Sequence, residues 1–227
     1  MRFQDAARDA RAVVYAGIQA DPLVARAAEL LADATFEQRV LARAVMNGET
    51  TDRAAWQATF PTLFGPAAAG TATERERSEA VLDASLSVAD RGDQVRSQVR
   101  GALVEAVTAL LLARRAGDAA VRRERRVLFD GVPAEIHPYD VTVERPGAAE
   151  AYDCKWGARG INADVLHQLD DARSHAADEE EPLSVALVVF DAARSCEVRL
   201  DRQTAPHERT GLVTLETLDD LARTPAR

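Results

Sequence analysis

The sequence has few residues of the kinds that build disulfide frameworks, soft-metal sites and membrane spans. Cys154 and Cys196 are its only cysteines. Two cysteines are too few for a disulfide framework or a four-cysteine zinc or iron–sulfur site, so both are expected to be free thiols. The most apolar run, Ala106 to Ala113, is much shorter than the roughly 18 to 20 residues that a membrane span requires. The charged N-terminal segment lacks the apolar core of a secretory signal, so a cytoplasmic location without a membrane partner is expected.

Lysine is almost absent, and acidic residues outnumber basic ones. A single lysine, Lys155, stands among 28 lysine and arginine residues, and the formal net charge is -9. This charge argues against a protein that coats nucleic acid without specificity, because such proteins are usually basic over the whole domain. An enzyme with a local basic face is still possible, since nine arginines and only four acidic residues lie between Arg91 and Arg126. Solvated helix faces and an ordinary exposed strand are the alternative explanation of that excess.

The first half of the chain has the pattern of helices, with apolar residues recurring every three or four positions. Residues 64–73 are rich in Gly, Ala, Pro and Thr and are predicted to form a loop. An α-helical N-terminal region of residues 1–90 and a second domain of residues 91–227 are therefore expected. The predicted helices are Phe3–Ile18, Pro22–Ala34, Phe36–Met46, Asp52–Thr59, Glu74–Val88 and the long amphipathic Asp93–Arg115.

After residue 117 the pattern changes to short runs rich in β-branched and aromatic residues. Three of these runs, separated by Asp130-Gly131 and Pro146-Gly147, predict a three-strand meander. A helix, a central strand buried on both faces and a further alternating strand are expected to follow, and the tail is predicted to be a short strand and a helical turn. The order predicts an α/β sandwich with a mixed sheet. The predicted elements are strands Val121–Phe129, Ala134–Glu144 and Glu150–Trp156, helix Asn162–Ala177, strands Ser184–Asp191 and Cys196–Arg202, and the tail Leu212–Arg223.

Two of these strands carry residues suited to phosphodiester hydrolysis, which needs a hard divalent cation, an activated water and a positive group. Asp153 and Lys155 are two positions apart, so a carboxylate and an ammonium project from the same face of their strand. Asp140 lies beside them if the two strands form a hairpin. An acidic residue two positions before a lysine is common by chance, and a structural ion pair is the alternative. A lone lysine in a chain that otherwise uses arginine favours a site that needs a compact point charge.

The stretch from Arg100 to Gln168 resembles the core of the PD-(D/E)xK nuclease superfamily. Its motifs are RGALVEA on a helix, PYD in one strand, DCK in the next strand and a glutamine on the following helix. The resemblance implies a restriction-endonuclease-like αβββαβ sandwich with a mixed central sheet, preceded by the α-helical N-terminal region. The chain departs from the family pattern in having Tyr139 directly before Asp140, and in having aspartate at position 153 where glutamate is commoner.

The resemblance also implies a role for each site residue. Asp140 and Asp153 would ligate Mg²⁺, with Mn²⁺ as a substitute, aided by the backbone carbonyl of Cys154. Lys155 would orient the attacking water and stabilise the charge of the transition state. Glu105 matches the acidic residue that members of this superfamily often contribute to the metal site from the preceding helix, and an unpaired charge in its apolar surroundings would be costly.

Three further polar residues lie near these motifs. Gln168 matches the glutamine that some branches place on the helix after the motif, and an exposed surface residue is the alternative. His137 and His167 flank the motifs and are left outside the predicted catalytic set, since a lone histidine is more often an ordinary polar residue.

The sequence therefore predicts a Mg²⁺-dependent nuclease, with DNA favoured over RNA because no segment resembles an RNA-binding module. A restriction or phage-defence effector is one hypothesis for its biological role, with the N-terminal helices forming a homodimer or binding a regulatory protein. One alternative is a degenerate nuclease-fold module that binds nucleic acid or a protein without cutting. Another is a helical interaction module whose C-terminal sheet is only a scaffold.

Overall fold

The structure is a computed structural model, and it describes residues 1–6, 10–66, 68, 70–133, 137–203 and 211–223. The helices are α1 (Ala10–Gln19), α2 (Pro22–Ala32), α3 (Phe36–Asn47), α4 (Arg53–Thr59), α5 (Pro61–Phe64), α6 (Ala72–Ala89), α7 (Asp93–Ala116), α8 (Ala163–Asp178) and α9 (Ala193–Leu200). The strands are β1 (Arg2–Asp5), β2 (Ala120–Phe129), β3 (Val132–Pro133), β4 (Tyr139–Arg145), β5 (Ala148–Lys155), β6 (Leu183–Val189) and β7 (Leu212–Val213). Two 3-10 helices are η1 (Ala158–Gly160) and η2 (Leu218–Ala222).

The chain forms two compact units. The α/β unit comprises Met1–Ala12 and Thr108–Arg227, and the helical unit comprises Val13–Val107. The predicted boundary lay between residues 90 and 91, and the observed division differs from it in two respects. Strand β1 belongs to the sheet of the α/β unit, and helix α7 is shared between the units. Within the described ranges, no helix combines the length and the apolar character needed to cross a membrane.

In the helical unit, helices α2, α3 and α6 pack on one another through small and aliphatic side chains. Thr35 begins α3 with a capping box that includes Gln38, whose buried side chain also donates to Ser78 Oγ of α6 at 2.9 Å. Arg39 is buried as well, and its Nε donates to the carbonyl of Leu31 at 2.9 Å. Arg39 therefore adds a side-chain donor to a carbonyl at the C-terminal end of α2, which also accepts from the N–H of Ala34 at 3.3 Å.

In the α/β unit, one mixed sheet has the strand order β1-β2-β4-β5-β6-β7, and β3 pairs with β2. The pairs from β1 to β5 are antiparallel, whereas β5–β6 and β6–β7 are parallel. The α/β class and the mixed sheet predicted from the sequence are therefore confirmed. The antiparallel β2–β4–β5 set is the predicted meander; Pro146-Gly147 joins β4 to β5, and Asp130-Gly131 joins β2 to the short β3.

Each face of this sheet is covered by a helix. Ala151 of β5 and Leu187 of β6 share a buried cluster with Leu169 of α8. Tyr152 and Cys154, which are two residues apart on β5, project to the opposite face. There the Tyr152 hydroxyl accepts a hydrogen bond from Arg115 at 2.9 Å, and the Cys154 thiol contacts Thr108 Oγ1 at 3.6 Å. The part of α7 from Thr108 onward therefore covers this second face.

The prediction of a helix beginning at Phe3 is wrong, because residues 2–5 form strand β1. Phe3 pairs with Val127 of β2 in an antiparallel register, and its side chain packs against the buried cluster that contains Leu169, between α8 and the sheet. The partner strand is distant in sequence, so local periodicity could not reveal the pairing.

The prediction of a strand over Cys196–Arg202 is also wrong, because most of it lies in helix α9. Cys196 and Leu200 are four residues apart and lie on one helical face, where Cys196 is fully buried and Leu200 packs against the same buried cluster. The carboxylate of Glu216 accepts a hydrogen bond at 2.9 Å from the backbone N–H of Ala193, the first residue of α9. An acidic group at a helix N-terminus favours the helix.

The remaining predicted elements agree with the observed ones within a few residues at their ends. The predicted strand Ala134–Glu144 corresponds to β4, and its first three residues lie outside the described residues. Both cysteines are free, as predicted, and both are buried.

Candidate metal centre

The β4–β5 hairpin brings the two predicted aspartates together. Gly147 has a φ of 74°, and this positive value allows the tight turn that joins the strands. Val141 then pairs with Tyr152 in the antiparallel register. One position beyond this pair, the same register sets Asp140 beside Asp153.

Asp140 is fixed by a hydrogen bond to the neighbouring strand. Its Oδ2 accepts from the backbone N–H of Cys154 at 2.6 Å. The carboxylate is thus held directly at the residue between Asp153 and Lys155. A metal contact by the carbonyl of Cys154 stays a prediction.

Lys155 forms an ion pair with Asp153, from Nζ to Oδ1, at 2.6 Å. Asp153 is buried, whereas the Lys155 side chain is 27% exposed. Burial lowers the pKa of Lys155, but the negative charges of Asp153 and Asp140 outweigh burial, and the pKa lies above its ordinary value. Lys155 is therefore a positive charge and a hydrogen-bond donor at neutral pH.

Glu124 of strand β2 is a further carboxylate near this centre, and the sequence motifs did not include it. Its position lies opposite Asp140, between the paired residues Arg123–Val141 and Arg125–Tyr139. A carboxylate oxygen of Glu124 lies within 4.8 Å of one of Asp140. The only signal in the sequence was that Glu124 interrupts a run of four arginines.

Glu105 lies in the helical unit, on α7, where its burial is matched by polar partners. Its carboxylate accepts hydrogen bonds from the Tyr15 hydroxyl and, at 2.7 Å, from Gln19 Nε2 of helix α1. These contacts explain how an acidic side chain is tolerated in an apolar helix segment. The predicted contribution of Glu105 to the metal site stays a prediction.

Gln168 has a structural role, a contact with the backbone of His137, that the sequence pattern did not predict. Its buried amide donates from Nε2 to the carbonyl of His137 at 3.2 Å and accepts from the His137 N–H at 3.4 Å. These bonds hold the segment that enters β4 just before Asp140. His137 thus contributes its backbone to this contact, and both His137 and His167 have exposed side chains.

The donor atoms of this centre suit a hard divalent cation. Asp140 and Asp153 offer carboxylate oxygens from adjacent strands, and an ionised carboxylate can accept about four hydrogen bonds or metal contacts. Asp140 also accepts from the N–H of Cys154, and Asp153 is paired with the Lys155 ammonium. Mg²⁺ commonly binds one or two carboxylates and keeps several waters, and the two aspartates fit that requirement.

No protein-family model, no curated protein and no solved structure matches the chain.

Proposed function

We propose that the α/β unit is a Mg²⁺-dependent nuclease domain of the PD-(D/E)xK type, which hydrolyses phosphodiester bonds in DNA. The observation that carries this proposal is the arrangement of Asp140, Asp153 and Lys155 on two paired strands. Asp140 accepts from the backbone N–H of Cys154, and the residues on either side of Cys154, Asp153 and Lys155, form an ion pair. A structural ion pair between Asp153 and Lys155 alone would not need Asp140 beside it.

The order of the elements supports a restriction-endonuclease-like fold. Helix α7, strands β2, β4 and β5, helix α8 and strand β6 follow one another in the order of an αβββαβ core, and β3 is a short addition to β2. The candidate residues lie on the second and third strands of that core, as the resemblance of PYD and DCK implies.

Each residue has a proposed part in binding and hydrolysis. Asp140, Asp153 and the carbonyl of Cys154 would hold Mg²⁺, and Glu105 would add a further carboxylate from helix α7. The cation, when bound, supplies positive charge to the scissile phosphate and acidifies a bound water. Lys155 orients the attacking water through its ammonium protons and stabilises negative charge that develops on the phosphate oxygens.

The proposed substrate is DNA, and the proposed biological role is restriction or phage defence. A negatively charged protein of this kind would bind DNA through a local basic surface and not through its overall charge. Arg122 of β2 is exposed and is a candidate for a phosphate contact near the site.

The proposal is tested by cleavage of supercoiled and linear plasmid DNA with Mg²⁺ or Mn²⁺. Asp153→Ala and Lys155→Ala should each lower the cleavage rate at least about 100-fold, the scale on which charge-stabilising groups act. Asp171→Ala is a matched control, because Asp171 is an exposed carboxylate on helix α8, and its cleavage rate should equal that of the wild type. Equal rates for all three variants would refute the proposed site.

The part of Glu105 is tested separately with Glu105→Gln, which keeps an oxygen acceptor for one of the two donors, Tyr15 or Gln19. If Glu105 assists metal binding, this variant should need a higher Mg²⁺ concentration for the same cleavage rate. An unchanged Mg²⁺ dependence would limit Glu105 to its contacts within the helical unit.

A folded wild type that cuts neither DNA substrate would be examined for Mn²⁺ binding by calorimetry. Mn²⁺ binding that is lost in Asp140→Asn and Asp153→Asn would indicate a nuclease that needs an activating partner. Absence of binding would favour the degenerate nuclease-fold module.

A further inference from the structure

We propose that Gly160 and Asp191 position the ammonium group of Lys155, an inference that rests on the nuclease function proposed above. Neither residue belongs to the predicted catalytic set. Both act on Lys155 through the short helix η1, which follows β5 directly.

Gly160 lies against the aliphatic stem of Lys155. A methyl group at position 160 would come within 2.9 Å of Lys155 Cβ and 3.0 Å of its Cγ and Cδ. Carbon atoms in favourable contact are about 3.5–4.0 Å apart, so either the stem or the helix would have to shift. The crowded atoms include Cβ, at the fixed base of the side chain, so rotation of the distal bonds cannot relieve the contact.

Helix η1 is held in place by the buried carboxylate of Asp191. Asp191 Oδ2 accepts from the N–H of Ala158 at 3.0 Å, and Oδ1 accepts from the N–H of Ala192 at 2.8 Å. Within η1, the N–H of Gly160 donates to the carbonyl of Gly157 at 2.8 Å. The short helix is therefore tied to the segment that follows β6.

The backbone of Lys155 is tied to the same segment. Its carbonyl accepts a hydrogen bond from the N–H of Phe190 at 2.9 Å, and the rings of Trp156 and Phe190 stack with centroids 5.1 Å apart. Lys155 and η1 thus share an anchor at Phe190 and Asp191, so the gap between the lysine stem and Gly160 is fixed.

This fixed gap restricts a side chain that is otherwise flexible. A lysine stem has four rotatable carbon–carbon bonds, and a free one occupies many rotamers. With Gly160 on one side, the stem of Lys155 reaches Asp153, where Nζ and Oδ1 are 2.6 Å apart. The ammonium is held beside the proposed metal ligand before any substrate binds, and such preorganisation lowers the cost of reaching the transition state.

The test uses Gly160→Ala, with Gly92→Ala as the matched control. Neither glycine has a φ in the left-handed range, so alanine can adopt the existing backbone at both positions. A Cβ at Gly92 would meet no atom within 4 Å. Asp191→Asn is a second variant that keeps one oxygen acceptor and loses the other, and it should give an intermediate result.

Because Lys155 is the only lysine, selective ¹³C,¹⁵N-lysine labelling gives a single side-chain spin system in an NMR spectrum. In the wild type the two ε protons should have distinct shifts, and ¹³Cε relaxation should indicate an ordered side chain. In Gly160→Ala the two shifts should merge and the order should fall, whereas Gly92→Ala should match the wild type.

In the cleavage assay, kcat of Gly160→Ala should fall at least about tenfold, with KM within about threefold of the wild type, because an interaction made in the transition state is lost.

The two arms of the experiment separate this inference from the proposed function. Lys155 signals in Gly160→Ala that equal those of the wild type would overturn the positioning, whatever the activity. A disordered Lys155 with undiminished kcat would overturn its catalytic importance. A wild type that is ordered at Lys155, cleaves no DNA and binds no Mn²⁺ would refute the nuclease function and leave Gly160 and Asp191 as determinants of the Lys155 conformation.

Discussion

Glu124 has a backbone conformation that residues other than glycine rarely adopt, with a φ of 53° inside strand β2. We expect Glu124→Gly to be more stable than Glu124→Ala by about 1 kcal/mol, because only glycine takes this conformation without strain. Both substitutions remove the carboxylate near Asp140, so the difference in stability between the two variants reports the strain of the backbone conformation. Equilibrium unfolding in urea measures it.

The control for Glu124 is the same pair of substitutions at Glu76, an exposed residue in helix α6. There glycine should be less stable than alanine by about 1 kcal/mol, because glycine weakens a helix interior. If the order of glycine and alanine is the same at both positions, the strain argument for Glu124 fails.

Single-residue roles could be predicted where the spacing along one strand determines them. Asp153 and Lys155 share a strand face because they are two residues apart, and their observed ion pair follows directly. Glu124 could not be predicted as a neighbour of Asp140, because register alone places it there and its φ has no local signature. The contact of Gln168 with the backbone of His137 depends on tertiary packing, so a pattern on one helix could not reveal it.

A buried network joins three elements of the α/β unit. Arg115 of α7 donates from Nη1 to Glu150 of β5 at 2.9 Å and from Nε to the carbonyl of Leu221 in η2 at 2.7 Å. Tyr152 donates its hydroxyl proton to Glu150 at 2.5 Å. Burial raises the pKa of Glu150, but the hydrogen bonds from Arg115 and Tyr152 outweigh burial, and the pKa lies below its ordinary value.

This network predicts a loss of stability in acid. The folded-state pKa of Glu150 is depressed. Its contribution to the free energy of unfolding is therefore complete above its pKa in the unfolded chain, about 4.3, and is lost as the pH falls through its pKa in the folded protein. Glu150→Gln should therefore lower the free energy of unfolding by about 3 kcal/mol at neutral pH, with a smaller difference from the wild type at about pH 3. Thermal and urea unfolding across this range measure the difference.

Glu76→Gln is the control for the acid prediction, since Glu76 is exposed on helix α6. Its difference from the wild type should stay near zero at every pH. A difference for Glu150→Gln that is constant with pH would contradict a depressed pKa in the folded state.

Elements could be predicted where their stabilising contacts are local. Strands β4 and β5 are joined by a Pro-Gly turn and follow one another directly, so alternation and turn residues were sufficient. Strand β1 and helix α9 were missed because their partners are distant in sequence. The partner of β1 is β2, and the first N–H of α9 bonds to Glu216.

At the scale of the whole molecule, the part of helix α1 in the helical unit has an exposed apolar surface that could mediate self-association. Val13 and Val14 of helix α1 are 62% and 61% exposed, which is high for two adjacent apolar residues. If the N-terminal helices form the homodimer suggested by the sequence, the double variant Val13→Glu and Val14→Glu should be monomeric. Light scattering after size-exclusion chromatography measures the molar mass of each protein.

Val132→Glu is the control for the oligomer prediction, because Val132 is 65% exposed and lies in the α/β unit. It should leave the molar mass unchanged. A wild type that is monomeric at all concentrations would exclude the homodimer and leave a different protein as the partner for these helices.

The pairing of β1 with β2 has a consequence for protein synthesis. Arg2 pairs with Leu128, so about 120 residues are translated after the first strand before its partner emerges from the ribosome. At about 5–20 residues per second, the strand has no partner for roughly ten seconds. All residues of the helical unit are translated within that interval. Strand β1 therefore enters the sheet only after β2 has been translated, and a ribosome that stalls before β2 would leave this edge sequence exposed to other nascent chains.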